Sequence, residues 1–294
     1  MELRVLRYFL AVAQEESISA AAEYLHLTQP TLSRQMKELE EELGRPLLIR
    51  GSRKVELTEA GRLLRKRARE ILELADKAQA EVREGDEAVT GELCIGAGET
   101  HVMRLVAQAI KALREQGHHI RFRIYSGNAE DVTERLDQGL LDFGILIEPV
   151  DLKKYDSLRL PDTDLWGVLM PRDHPLAREE VIRPQQLRHE PLLISHQRLA
   201  QGQLLQWLGC DVTDLDIAVT YNLVYNAARM VEEGVGLALT LDKLVHTGAD
   251  SPLCFRPLEP RMEVGLDIVW KKYQTLSKAA QLFLDQLQKT FSAP

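Results

Sequence analysis

Residues 28–44 read TQPTLSRQMKELEEELG, and residues 50–61 read RGSRKVELTEAG. In the first stretch Leu32, Met36, Leu39 and Leu43 follow one another at steps of four, three and four, which places them on one stripe of an α-helix. The opposite face carries Pro30, Arg34 and Lys37, flanked by Thr31 and Ser33, with Gln29 at the entry. Pro30 falls in the first turn, where its missing N–H costs nothing, and Gly44 supplies the stop. Hydroxyls and a carboxamide can bond base edges, and an arginine can grip guanine or a phosphate. The second half, ELEEELG, is acidic. It must point away from a polyanion, so only the N-terminal turns can enter a major groove.

The flanking sequence fits that geometry. Leu3, Leu6, Phe9, Leu10 and Ala13 recur at helical spacing, and Ser17 or Ser19 can cap a short second helix, ISAAAEYLHL. Its Ala20, Ala21 and Ala22 let another helix cross closely. Helices two and three then form a helix-turn-helix. PLLIRGSRKVELT reads as two short strands around a Gly-Ser turn, a wing presenting Arg50, Arg53 and Lys54 to backbone or minor groove. Thr58 caps a long helix expected to reach about Glu87, roughly 45 Å at 1.5 Å per residue. Along it Leu64, Ala68, Ile71, Ala75, Ala78 and Val82 alternate steps of four and three, a heptad seam that a second copy would cover.

Charge is concentrated in the same region. The 294-residue chain has a net charge of −8, yet Gly44 to Arg69 holds nine basic residues against Glu56 and Glu59, so the remainder carries −15. A solvated helix face is one reading of such a run; a contact surface for a polyanion is the other.

The joint occurrence of the alanine-rich helix, the TQPTLSRQ entry, the LEEELG exit, the PLLIRGSRKVELTEAG wing and the linker helix resembles the winged helix-turn-helix of LysR-type transcriptional regulators. The resemblance is strong to about residue 90 and extends in outline over all 294 residues. It implies base and phosphate contacts by Gln29, Pro30, Thr31, Ser33, Arg34 and Lys37, and by Arg50 and Arg53 on the wing.

After Thr90-Gly91 the pattern changes. ELCIGAG, RFRIYSG and LDFGILI are strand-like and separated by helical stretches at 100–115 and 129–138, which argues for a parallel sheet with crossover helices. LWGVLM, PLLIS, DIAVTY and GLALT, with a helix at 224–233, make a second set. LDQGLLDFGIL and VEEGVGLALTL each end a helix at a glycine, Gly139 or Gly234, and pass directly into a strand. The resemblance implies that VGLDIVWKK and the last helix, SKAAQLFLDQLQK, rejoin the first lobe, as in periplasmic-binding-protein-like effector domains.

The expected organisation is therefore an all-α winged helix-turn-helix (1–58), a linker or dimerisation helix (59–89), and a two-lobed α/β effector domain (90–294). Lobe I comprises about 90–160 and 266–294, and lobe II about 161–265. Ligands of such sheets sit at the carboxyl ends of strands, where helix N-termini offer free N–H groups. Glu99, Thr100 and His101 fall there after the first strand, Gly127 and Asn128 after the second, and Ile147 after the third. The second lobe supplies Ser195 and His196, Tyr221 and Asn222, and Thr240. Ordinary capping explains any one of these equally well. The family's effector pocket is lined by matching positions, with a hydroxyl at that of Thr100. Hydroxyls and helix N-termini would suit a small organic anion as co-inducer.

Rival chemistries are weaker. GAGETH lacks the third glycine of a dinucleotide fingerprint, since position 101 is His. His118 and His119 point apart as neighbours on a loop, and Ser195-His196 has no nucleophile elbow around it. Cys94, Cys210 and Cys254 form no CxxC pair; buried hydrophobes are the simple reading, and a redox role for Cys210 has no resolving cysteine nearby. No apolar run approaches the ~20 residues of a membrane span, and Arg4, Arg7 and Gln14 interrupt the N-terminus as an export signal. The expectation is a cytoplasmic, non-enzymatic regulator with double-stranded DNA, a second copy through the linker helix, a tetramer and RNA polymerase as partners. The alternative is a two-lobed small-molecule-binding protein or enzyme with an incidental basic extension, which leaves the seam and the wing unexplained.

Overall fold

The computed structural model describes residues 1–51, 54–82, 89–197 and 202–292. The chain divides into two compact units, Met1–Arg83 and Glu84–Pro294.

In the first unit, helices α1 (Leu3–Glu15), α2 (Ile18–Tyr24) and α3 (Gln29–Leu43) are followed by strands β1 (Leu48–Arg50) and β2 (Val55–Leu57) and the long helix α4 (Glu59–Val82). Phe9 and Val12 of α1, Ala21 and Ala22 of α2, and Leu32, Met36 and Leu39 of α3 close one core. The expected stripe of α3 is thus buried except at its end: Leu43 is 39% exposed, and Leu47 takes the place beside the core. On α1 the buried set is Leu6, Phe9, Ala11 and Val12, while Leu3 faces solvent. Ser17 caps α2 by accepting the Ala20 amide, and Gly44 ends α3 in the left-handed region at φ 66°.

The wing is an antiparallel pair registered Leu48↔Leu57, Ile49↔Glu56 and Arg50↔Val55. Glu40 anchors it to α3, its carboxylate accepting the amides of Leu47 (2.7 Å) and Leu48 (3.0 Å). Thr58 caps α4 as expected: its hydroxyl accepts the Gly61 amide (2.9 Å) and donates to the Pro46 carbonyl (2.8 Å). Gly61 itself is required for space, because a Cβ there would stand 2.2 Å from the Leu47 carbonyl oxygen. The expected end of α4 near Glu87 lies outside the described residues.

Helix α4 does not present its whole heptad seam outward. Ala68 and Leu72 are buried against Leu6 of α1, with Leu10 and Leu64 at the edge, and Arg7 of α1 pairs with Asp76 at 2.6 Å. The outer flank is left with Leu63 (61% exposed), Ile71 (37%) and Leu74 (44%).

The second unit is built on one continuous nine-stranded sheet. It contains β3 (Thr90–Ala97), α5 (Met103–Glu115), β4 (His119–Ser126), α6 (Ala129–Asp137) and β5 (Phe143–Ile147). After β6 (Tyr155–Pro171) come β7 (Leu192–Ser195), α7 (Gln203–Leu208), β8 (Ile217–Tyr221), α8 (Val224–Glu232) and β9 (Leu237–Leu241). The chain finishes with β10 (Leu253–Pro257), β11 (Glu263–Lys271) and α9 (Lys278–Ser292). The strand order is β4-β3-β5-β11-β6-β9-β7-β8, with β10 also paired to β6. The order read inward from either edge is the same: second, first and third parallel strand of a lobe, then an antiparallel strand. The similarity of the two glycine-ended segments therefore reflects similarly wound lobes, with Gly139 at φ 75° and Gly234 at φ 78°.

Period-two alternation on the sheet gives each lobe two faces. Leu93, Ile95 and Ala97 of β3 pack with α5 and α9, whereas Cys94 belongs to the α6 side with Val132 and Leu136. In lobe II, Leu192 and Ile194 pack with Leu204 and Leu208 of α7, while Leu193 packs with Ala227, Ala228 and Val231 of α8.

The sheet is mixed rather than purely parallel. Strand β6 is 17 residues long and passes from β11 in lobe I to β9 and β10 in lobe II, and β11 shifts register between Gly265 and Asp267. The sequence reading saw only its second half, LWGVLM, and missed β10 and α7.

Candidate DNA-contacting helix and interlobe cleft

At the start of α3 the geometry leaves the polar face open. Gln29, Pro30, Arg34 and Lys37 are exposed, and Thr31 and Ser33 are half-buried beside them. The Thr28 and Thr31 hydroxyls are 2.8 Å apart. Arg34 stands 3.7 Å from Glu38, and Lys37 stands 3.5 Å from Glu41, with about 70% of both cationic side chains in solvent (71% and 70%). Exposed i,i+4 pairs at such distances are weak, so a phosphate can compete for these cations. On the wing, Lys54 is exposed and 3.0 Å from Glu56, whose carboxylate holds the ammonium above its ordinary pKa. The Arg50 side chain and all of Arg53 lie outside the described residues.

In the second unit, the carboxyl ends of six parallel strands converge on a cleft between the lobes. Of the expected residues, Asn128, Ile147, Ser195, Tyr221, Asn222 and Thr240 line it, as do Gly98, Glu99 and Gly127. Tyr221 donates its hydroxyl to the Leu239 carbonyl at 2.7 Å, which fixes the ring.

Thr100, His101 and His196 are not among the lining residues. Thr100 is only 7% exposed. Its hydroxyl accepts the Val102 amide at 3.0 Å and bonds the buried Asp164 carboxyl, whose pKa burial pushes upward. This hydroxyl is thus engaged by the Val102 amide and the Asp164 carboxyl.

Sequence reasoning missed the apolar wall of Trp166, Leu241 and Leu244, and also Gln197, Leu223 and Val224. Gln197 was one residue beyond the segment considered; the others carry no spacing signal. Polar contacts at Gln197 and Glu99 cross the cleft. Gln197 of lobe II accepts the amide of Ala129, the first residue of α6, at 3.2 Å. Glu99 of lobe I accepts the amide of Val224, the first residue of α8. Helix α6 is further capped by the reciprocal Asn128–Asp131 box. The helix N-termini that the sequence reserved for an organic anion thus already hold protein oxygens.

Cys94, Cys210 and Cys254 are all free thiols. Burial, aided by Asp214 and Asp211, pushes the Cys210 thiol up, which opposes thiolate reactivity. Among the described residues no group of three or more His, Cys, Asp or Glu could hold a metal ion, and no helix is long and apolar enough to cross a membrane.

Comparison with known proteins agrees with both halves. Residues 3–62 match the description "Bacterial regulatory helix-turn-helix protein, lysR family", and residues 86–292 match "LysR substrate binding domain". The chain is 32% identical over 277 residues to the Hca operon transcriptional activator HcaR of Escherichia coli (strain K12), covering 92% of each protein. Its fold is that of CbnR, a LysR family transcriptional regulator, with TM-score 0.79, 21% identity and complete coverage of both chains. The structure of full-length CbnR complexed with its target DNA matches at TM-score 0.76 and 20% identity, over 99% of this chain and 100% of that one. These proteins are regulators rather than enzymes. With one matching domain that binds DNA and another that binds an effector, the chain belongs to the LysR family of transcriptional regulators.

Proposed function

We propose that the first turns of α3 read duplex DNA through Gln29, Pro30, Thr31, Ser33, Arg34 and Lys37, and that Arg50 and Arg53 grip the flanking backbone. The exposure of that face, above a core closed by Leu32, Met36 and Leu39, supports the reading. Full-length CbnR, which shares this fold, forms a complex with its target DNA, and that supports the same use here.

Two copies pair through the outer flank of α4, where Leu63, Ile71 and Leu74 remain uncovered, so that two wings address the halves of an interrupted palindrome. The assembly extends to a tetramer in the cytoplasm and acts on RNA polymerase. The cleft between the lobes receives the effector, contacted by Asn128, Ile147, Ser195, Tyr221, Asn222 and Thr240. Thr100, His101 and His196 support it from outside. A ligand moves the equilibrium only by binding two lobe arrangements unequally.

The observation that supports the gating is the convergence of both lobes on a cleft crossed by side chain–backbone contacts at Glu99 and Gln197. The test is footprinting on genomic fragments retained by the full-length protein, with and without metabolites that bind the second unit. A footprint that changes length or spacing with ligand is expected. Identical footprints with every cleft-binding metabolite refute the gating, and failure to retard any fragment in dilute buffer refutes the DNA reading.

A further inference from the structure

We infer that Glu99 sets the charge preference of the effector cleft: it occupies the N-terminus of α8, so the end of the effector lying there is a hydrogen-bond donor, an ammonium above all, and not a carboxylate. This rests on the cleft being the effector site and deepens that reading.

Three observations carry it. Glu99 lines the cleft from lobe I, and its Oε2 accepts the Val224 amide of lobe II. That amide is the first N–H of a nine-residue helix, the position that would otherwise bind an anion. The other helix opening onto the cleft, α6, has its Ala129 amide taken by Gln197 and its first turn made acidic by Glu130 and Asp131. Among the described lining residues Glu99 is the only one with a formal charge; the rest are amides, hydroxyls and an apolar wall including Ile147, Trp166, Leu241 and Leu244.

A carboxylate entering this cleft must displace Glu99 from the α8 amide while lying beside its negative charge. An ammonium instead adds a donor to a carboxylate that has lone pairs to spare, and leaves the Val224 bond intact. The apolar wall then covers the body of the ligand. Because Glu99 joins the lobes, a ligand that pairs with it reinforces the bridge, whereas one that competes with it opens the bridge.

The experiment uses the full-length protein and two pairs of probes that share an apolar body, benzylamine with phenylacetate and cyclohexylmethylamine with cyclohexylacetate, with affinities measured by calorimetry. Wild type should bind each amine at least about tenfold more tightly than its carboxylate partner, as one nearby unscreened charge implies. Glu99→Gln keeps an oxygen for the Val224 amide, so the lobe remains intact while the charge is gone. In that variant the ratio should fall about tenfold, chiefly through gain of carboxylate binding. Carboxylates matching amines on wild type, or an unchanged ratio in Glu99→Gln, overturn the inference and leave the cleft as the effector site. Absence of binding by every probe to both proteins overturns the cleft reading as well.

Discussion

Replacing Gly61 with Ala tests how the wing is held. In an exposed helix interior this change favours folding by about 1 kcal/mol through helix propensity. Here the added Cβ would lie 2.2 Å from the Leu47 carbonyl oxygen, 3.1 Å from its carbon and 3.2 Å from Leu57 Cδ2. Two of these neighbours are backbone and cannot rotate away. Relief requires moving α4 from β1 by about an ångström, a strain of about 1–3 kcal/mol for overpacking. The same carbonyl accepts the Thr58 amide at 3.0 Å, so that shift also loosens a hydrogen bond worth about 1 kcal/mol. After subtracting the propensity gain, Gly61→Ala should destabilise the first unit by about 2 kcal/mol, roughly thirtyfold in local opening. Hydrogen exchange of peptides covering residues 45–64, followed by mass spectrometry, reads this directly. Peptides from Thr90 onward serve as the internal control. Slower exchange in the variant, as expected of an ordinary helix glycine, would refute the close approach of α4 to β1.

Arg34→Ala should cost about 1–3 kcal/mol of DNA affinity and relax preference at one base position, while Lys54→Ala should weaken all sequences alike and flatten the salt dependence; titrations on matched and mismatched operators decide between these roles. Ile71→Glu should split the dimer by placing like charges on the outer flank of α4, and sedimentation showing an unchanged assembly would remove Ile71 from the interface. Leu72→Ala, on the opposite flank, should instead lower stability by about 2–4 kcal/mol with the assembly intact. Asp164 is held above its ordinary pKa of 3.8, chiefly by burial, so the folded state favours its protonated form. Its contribution is greatest in acid and is lost as pH rises from that ordinary value through the folded one. Asp164→Asn should therefore gain thermal stability over wild type at neutral pH and lose the advantage near pH 4, as read by melting curves across that range.

The elements that a short stretch dictates were legible in the sequence. Leu32, Met36 and Leu39 fixed the inner face of α3, and Gly139 and Gly234 marked real left-handed helix ends. Leu43 misled because the helix stripe continues past the core, where Leu47 arrives from the wing. The first half of β6, YDSLRLPDT, escaped notice for a local reason: only Tyr155 and Leu160 in it are buried, and it contains Pro161. That proline falls where β11 shifts register, between the Arg159↔Asp267 and Thr163↔Gly265 pairs, so its missing N–H interrupts no regular ladder. The cleft was legible to the extent that it follows strand ends. The hydroxyl of Thr100 turning inward to Asp164, and the reach of Glu99 and Gln197 to opposite lobes, depend on partners 64, 125 and 68 residues away and leave no trace in spacing.

Strands β6 and β11 restrict what any ligand can do to the second unit. They are hydrogen-bonded to each other through most of their shared length, and β6 is also a member of the lobe II sheet. Pulling the lobes apart along the strands would shear ladders in both. The β6–β11 register is already interrupted between Gly265 and Asp267, so a twist of one half-sheet against the other at that point disturbs fewer of their pairs, like wringing a ribbon. A molecule seated at the strand ends lies off that axis, and a small change there becomes a rotation whose linear displacement grows with distance toward the outer edges, β4 and β8.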